Sequence, residues 1–457
     1  MKKLLLIICL ISAINTKAQD FWTEYATSQP LSSTGISSIS IVDQNTTWLS
    51  MRSGLVSAAD MRRYAKTVNG GTIWTTAAID LGANSLNLEI ANIHGISASV
   101  AYAAVYPTVA QARGGIWKTI DGGTTWAKQT SAAFSDPSSF TDLVYFWNAN
   151  EGVTVGDATN GYFEIYTTND GGNNWTRVPS ISAPTPIDPQ EYVVLNNFTT
   201  NGNTIWIGTA FGRILKSSDK GMTWTVKQSP IQDFGTGINS YIAGDMAFTD
   251  QNNGLLQTNE FMLYNTSDGG ATWSEMIVDG VLRTFDIAAV PGMPNAYVSV
   301  GEDIDFDERG SSYSIDGGLT WIGINNNPDT NYVDGGQIAM FNEDYGFASG
   351  FSNTPTEGGI FRWGGGPMLR MAQLAVSTFT GDKSITVAPN PTSGVLNISG
   401  KNISQIKVYD AMGKQIMDMN YNTVNNANIN LDALANGIYL ANVTNDKGTS
   451  VIKVVKQ

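Results

Sequence analysis

Apolar residues in this chain come in short runs of four to six. Examples are Gly115-Ile-Trp-Lys118, Phe163-Glu-Ile-Tyr166, Gly212-Arg-Ile-Leu-Lys216 and Phe261-Met-Leu-Tyr264. Each run is followed within three residues by Asn, Asp or Ser, so the pattern predicts short strands and tight turns rather than helices. One run differs. Met1-Lys2-Lys3 precedes the apolar stretch Leu4 to Ile14, and small and polar residues follow to Ala18-Gln19. A basic start, a short apolar middle and a small-residue end predict a secretory signal peptide over 1–19. The stretch is too short for a stable membrane anchor, and no later segment is long and apolar enough for a transmembrane helix.

The strand runs are spaced by a repeat. Thr119-Ile-Asp-Gly-Gly-Thr-Thr-Trp126 recurs at 168–175, 217–224, 266–273 and 314–321, with a weaker copy at 67–74 where Asn69 replaces Asp. The tryptophans fall at 74, 126, 175, 224, 273 and 321, in steps of 52, 49, 49, 49 and 48. That step holds four short strands and their turns, which is one propeller blade. The box falls after the third run, so it is read as the turn between strands three and four. Its Ser/Thr and Asp side chains can bond backbone N–H groups, its Gly pair permits positive φ, and its Trp can bury a large face. Asp121, Trp126, Asp170, Trp175, Asp219, Trp224, Asp268, Trp273, Asp316 and Trp321 are therefore assigned to structure. The pattern resembles the Asp-box, or bacterial neuraminidase repeat. Kelch repeats share the Gly pair and the step but do not place Asp before the glycines.

Gly358-Gly-Ile-Phe-Arg-Trp363 repeats the third run, yet Gly364-Gly-Gly366 stands where the box belongs. Phe21-Trp22-Thr23-Glu24 looks like a fourth strand with none before it. If that strand completes the last blade, residues 20–367 form a seven-bladed β-propeller with no open edge. An open or six-bladed arrangement is the alternative.

Residues 368–384 lack the repeat and read as a linker. In 385–457 short alternating strands are expected at 395–398, 405–409, 415–419, 428–431, 438–443 and 451–455, a small Ig-like β-sandwich. This tail resembles the type A C-terminal sorting domain of the Bacteroidetes type IX secretion system. The matching pieces are Pro389-Asn-Pro-Thr-Ser-Gly394, Val408-Tyr-Asp-Ala-Met-Gly413-Lys414, Asn436-Gly-Ile-Tyr-Leu440 and Lys453-Val-Val-Lys456. The resemblance implies the secretion machinery and its sortase as partners, with the mature chain secreted or held at the cell surface. An ordinary adhesive sandwich is the alternative.

Composition narrows function. Of 457 residues, 26 are basic and 40 acidic, a net −14. The charge is uneven: residues 1–19 carry +3, 385–457 carry +2, and 20–384 hold 17 basic and 36 acidic groups, −19. An acidic disc lacks the basic patch that nucleic acids need. Its field repels polyanions and favours neutral or cationic partners or divalent ions. One His and one Cys leave no zinc pair, no intramolecular disulfide and little room for Ser-His-Asp chemistry. His94 is assigned no role, and the lone Cys9 lies in the expected signal peptide.

Asp-box families place ligands on the face opposite the box turns, around the axis. There the loops offer Arg52, Arg62, Tyr106, Arg113, Arg213, Glu260 and Glu357 as candidate contacts. Asp303, Asp305 and Asp307 alternate, so an extended run puts their carboxylates on one side. They could hold Ca²⁺, though Glu308 stands where a calcium loop needs Gly. No other cofactor is expected.

The resemblance extends to sialidases, xyloglucanase-type hydrolases, the sortilin ectodomain and the photosystem II assembly factor. The expected function is a monomeric binding propeller for an extracellular glycan or protein. A polysaccharide hydrolase using a carboxylate pair stays open as an alternative, as does a purely adhesive surface protein. The sialidase Phe/Tyr-Arg-Ile-Pro segment is absent, and only one propeller is present where xyloglucanase-type enzymes use two.

Overall fold

The computed structural model describes residues 21–53, 62–82, 85–110, 112–235, 243–303, 309–324, 336–364, 385–410 and 414–456. The expected signal peptide, the linker 368–384, and Asp305 and Asp307 lie outside the described residues. The chain divides into two compact units, Met1–Gly366 and Pro367–Gln457. Both are built from strands, and among the described residues no helix is long and apolar enough to cross a membrane.

The first unit is a β-propeller of consecutive antiparallel sheets, with the strands of each running in order from inside to outside. The first sheet holds Thr34–Ile41, Thr47–Ser53, Arg63–Thr67 and Thr75–Ala78. The second holds Leu88–Gly95, Ala101–Pro107, Gly115–Thr119 and Ala127–Gln129. The third, fourth and fifth span 141–177, 193–228 and 244–276 in the same way. The sixth, 286–324, gains a short parallel strand, Asp279–Gly280, beside Thr320–Ile324.

The last sheet joins the ends of the propeller. Ile338–Asn342, Tyr345–Thr354 and Glu357–Trp363 supply three strands, and Trp22–Ala26 supplies the fourth. Trp22 pairs with Trp363 and Ala26 with Gly359, in antiparallel register. The N-terminal strand thus completes the last sheet, as the sequence predicts. One difference from independent blades appears. Thr34 and Gly35 also pair with Ser352 and Phe351, so the first and last sheets share an eight-stranded ladder. Gly35 permits this approach, because a Cβ there would lie 2.8 Å from the Phe351 ring.

Every box is the turn between the third and fourth strands. In 119–126, Thr119 Oγ1 donates to Asp121 Oδ1 at 2.9 Å and accepts from Gly123 N at 2.9 Å. Asp121 accepts from Thr125 N at 2.9 Å and Thr125 Oγ1 at 2.6 Å. The set recurs around Asp170, where Asn174 replaces Thr125, and around Asp219 and Asp268. In the weaker copy Asn69 still accepts from Ile73 N, but Ile73 has no hydroxyl to give the second bond. Gly122 and Gly123 have φ of 76° and 93°, and a Cβ on Gly123 would lie 2.2 Å from the Tyr64 hydroxyl of the first sheet.

Box turns also fasten neighbouring sheets. Lys66 Nζ donates to the Gly122 carbonyl at 2.8 Å, Lys118 to Gly171 at 2.7 Å and Lys216 to Gly269 at 2.9 Å. Arg362 of the last sheet donates to Gly70 of the first at 2.9 Å. Each cation also lies over a ring of its own sheet, respectively Trp48, Tyr102, Trp206 and Tyr25. Box tryptophans pack backward onto the preceding sheet: Trp126 against Trp48, Trp321 with Leu255 and Leu263, and Trp74 against Phe347.

The second unit, considered alone, is sandwich-like with a core of Leu396, Ile398, Ile406, Val408, Ile429, Leu431, Ala441, Val443 and Val454. The strands expected at 395–398 and 405–409 are one continuous strand, Val395–Asp410, and those at 415–419 and 428–431 are one strand, Gln415–Asn430. Residues 399–404 separate the first two expected strands. They hold instead a register shift, after which the same two strands pair again.

Candidate functional site at the axial mouth

The inner strands enclose an axial channel of about 600 Å³ lined by Ser38, Ser40, Asn92, His94, Tyr145, Asp245 and Asp286 among others. On the face opposite the boxes, a second cavity of about 540 Å³ shares Asn196, Asp245 and Gln337 with it. We call this the mouth. Arg52, Asn197, Phe234, Gln257, Asn259, Thr284 and Phe285 complete its polar and aromatic wall.

A polar column begins the inner strands, where a buried strand would ordinarily be apolar. Several of its members clip one sheet to the next. Ser38 Oγ accepts from Ile93 N at 3.1 Å, and Asn92 both accepts from Val144 N and donates to its carbonyl. Asn197 Nδ2 donates to Gly244 O at 2.7 Å, and Asp286 Oδ2 accepts from Ile338 N at 2.7 Å.

Other side chains at the mouth, Gln257 of the second strand of the fifth sheet among them, have unmet valences. Gln257 is 1% exposed, and neither its Nε2 nor its Oε1 has a partner. Asn196 Oδ1 and Asn197 Oδ1 are likewise buried and unpartnered. Asn196 sits at φ 60° in the irregular stretch between Val193 and Phe198.

Two carboxyl pairs are buried in the propeller, Asp245 with Asp286 beside the channel and Asp142 with Asp157 away from both cavities. Burial pushes Asp245 and Asp286 up, and Asp286 rises further because the Asp245 charge faces it. Burial pushes Asp157 up to about 7, against the pull of Val193 N on its carboxylate. Asp142 is raised further by burial and by Asp157, and neither of its oxygens meets an N–H or hydroxyl donor. His94 is pushed down to about 4 by burial, and its ring lies tilted 4.6 Å from that of Tyr145, so it lines the channel as neutral imidazole.

Of the seven predicted contacts, Arg52 alone lines the mouth. Its Nε donates to Ile36 O, and its guanidinium lies over Phe351. Arg213 is fixed by Glu191 at 2.6 Å and by Thr185 O. Arg62 is buried and donates to Ser85 O. Tyr106 donates to Glu89 at 2.5 Å and stacks on Phe140, and burial raises its hydroxyl pKa. Arg113 bonds the Ala110 and Ala112 carbonyls. Glu260 and Glu357 are exposed and line neither cavity. Asp303 stands 3.6 Å from the buried Arg283 guanidinium, which competes with a cation for that carboxylate. Among the described residues no group of three or more acidic, His or Cys side chains could hold a metal.

Sequence reading missed Asn196, Asn197, Gln257, Phe285 and Gln337. It surveyed charged loop residues, whereas these sit on strands or at strand ends. Aligning the repeats on their inner strands would have exposed the polar column.

Residues 386–457 match the secretion system C-terminal sorting domain, and residues 74–237 match the photosynthesis system II assembly factor YCF48. No curated protein matches the chain. Among solved structures, YCF48 bound to D1 peptide is 17% identical with a TM-score of 0.50, covering 76% of this chain and 97% of its own. YCF48 from Cyanidioschyzon merolae is 18% identical with a TM-score of 0.49, covering 75% and 98%. PorZ, a surface component of the type IX secretion system of Porphyromonas gingivalis, is 12% identical with a TM-score of 0.39, covering 92% and 70%. The chain thus joins a β-propeller similar to the YCF48 assembly factor to a type IX C-terminal sorting domain.

Proposed function

We propose that the chain is an exported binding protein whose propeller, read as seven blades, seats an extracellular glycan or protein segment at the axial mouth. The observation that carries this reading is Gln257, fully buried with both amide atoms unpartnered in the wall of an open cavity. Leaving such a group unmet costs about 1–3 kcal/mol, so this wall is not built for stability alone. The box turns are assigned to structure because their polar groups are spent within the turn and on the neighbouring sheet.

A hydrolase is the weaker reading. The members of each buried carboxyl pair face one another, whereas glycoside hydrolysis sets two carboxyl groups about 5–9.5 Å apart across the bond. Two measurements test the proposal. Full-length protein is incubated with a polysaccharide panel, and both retention and new reducing ends are scored. Retention without new ends supports binding, and new ends would overturn it. Deleting residues 385–457 is expected to hold the protein in the periplasm, and unchanged surface appearance would sink the export assignment.

A further inference from the structure

The second unit, taken alone, treats its sheet edges unequally. A strand at an edge turns unpaired N–H and C=O groups outward, a template for another strand. The final strand, Gly448–Lys456, has that side occupied at its C-terminal end. There Asn390 stands in for a neighbouring strand. Its Nδ2 donates to Lys453 O at 2.6 Å, and its Oδ1 accepts from Val455 N at 2.9 Å. Thr392 N then donates to Val455 O at 2.8 Å. The strand Thr386–Ala388 is three residues long and stops at Pro389. The Pro389-Asn-Pro391 motif thus has a local task, which is to guard edges.

The opposite edge has no such guard. Gln415–Asn430 pairs with Val395–Asp410 on one side, and no strand among the described residues pairs with its other side. It is 16 residues long, whereas the outermost strands of the propeller sheets have two to five. Its first arm, Gln415-Ile-Met-Asp-Met-Asn-Tyr-Asn422, holds no Pro and no Lys, and its one charge is Asp418. Met417, Met419 and Tyr421 pack against the core, while Asp418, Asn420 and Asn422 are exposed on the other face. Thr423, at φ 49°, ends the arm at a bulge. A strand laid along this arm must offer apolar side chains on one face and uncharged polar ones on the other.

A second copy of the same arm meets that demand. Two copies related by a two-fold axis perpendicular to the sheet run antiparallel and keep each face with its like. Centred on Met419, the pairing sets Met417 against Tyr421 and Asp418 against Asn420. Centred on Asn420, it sets Met419 against Tyr421 and Asp418 against Asn422. Like charges directly opposite destabilise a sheet, and both registers keep the two Asp418 carboxylates apart. We infer that the open edge Gln415–Asn422 is a self-association surface, along which two copies of the chain join their sorting domains into one continuous sheet. This inference is independent of the axial-binding reading, and it departs from the monomer expected from the sequence.

The test is analytical ultracentrifugation of the full chain over a concentration series, with hydrogen exchange read at the same concentrations. Dimers are expected to grow with concentration, and the amides of 415–422 to gain protection with them. Asn420→Asp keeps the acceptor that Gln405 Nε2 uses at 3.0 Å, so the fold is expected to hold. In both registers it sets carboxylates opposite one another. The dimer Kd is expected to rise about tenfold or more, and added salt to reverse part of that rise. A chain monomeric throughout the series would overturn the inference. So would a dimer indifferent to Asn420→Asp, or one that forms without protection at 415–422. Protection of that arm only on adding an alternating Val-Thr peptide would assign the edge to a different strand and overturn the second copy as its occupant.

Discussion

The outer ring of box turns and the inner ring of strand starts do the same job in opposite ways. Both tie each sheet to the next. In the outer ring the hydrogen bonds repeat from box to box, and the bonds made by Asp121, Asp170, Asp219 and Asp268 are nearly superimposable. In the inner ring the clips differ between junctions, Ser38 here, Asn92 there, and the amide oxygens of Asn196 and Asn197 make no bond. Repetition marks what every blade needs in order to stand beside its neighbour. Irregularity marks where the disc is asked for something besides standing.

This contrast can be broken at several points. The largest effect is expected from Trp321→Ala, since that ring is buried against the preceding sheet and truncating a buried aromatic costs about 3–5 kcal/mol. Urea unfolding measures it. A loss below about 1 kcal/mol would mean the outer ring is dispensable. Next comes Thr119→Val, which strands Gly123 N and frees Asp121, at about 1–3 kcal/mol. Unchanged stability there would reduce the box to a sequence habit.

A box carboxylate and a buried one also titrate in opposite directions. Asp121 is held down to about 2, chiefly by the Thr125 hydroxyl and amide. Its contribution is present above the unfolded carboxylate pKa of about 4 and is lost as pH falls through about 2. Asp157 is raised to about 7 by burial. Its contribution is present below about pH 4 and is lost as pH rises through about 7. Asp157→Asn is expected to flatten the fall in Tm between about pH 5 and pH 8. An identical slope in parent and variant would remove Asp157 from the account. The smallest loss is expected from Gln257→Leu, where stability holds or rises, because no bond is lost and an unmet buried amide is removed. A large destabilisation would make the inner ring structural after all.

The same contrast explains what the sequence disclosed. Asp-boxes are local: Thr119, Asp121, Gly123 and Trp126 make their turn within eight residues, so spacing alone reveals it. The closing strand was legible because Trp22 stands one period before Trp74. The tail's strand continuity was not, since Gly400 looks like a break and only pairing across Ile403 and Val424 shows otherwise. The mouth was the least legible part. Asn196, Gln257 and Phe285 lie on different sheets, and no local pattern announces that they meet. Charged loop residues such as Arg213 and Arg62 attracted attention, yet a charged side chain finds a partner wherever one is near, and these two did.

The strand that fastens the last sheet has a consequence for the life history of the chain. Trp22–Ala26 is made first and can dock only when Glu357–Trp363 exists. Until then both leave an open ladder edge, with Trp22 unable to donate to Ser311 and Arg362 unable to reach Gly70. Contacts between such distant parts of a chain form slowly. The propeller therefore stays unfastened throughout its synthesis, and a chain stopped short cannot fasten at all. Ring closure acts as a check on length, which only a chain that has reached Trp363 can pass.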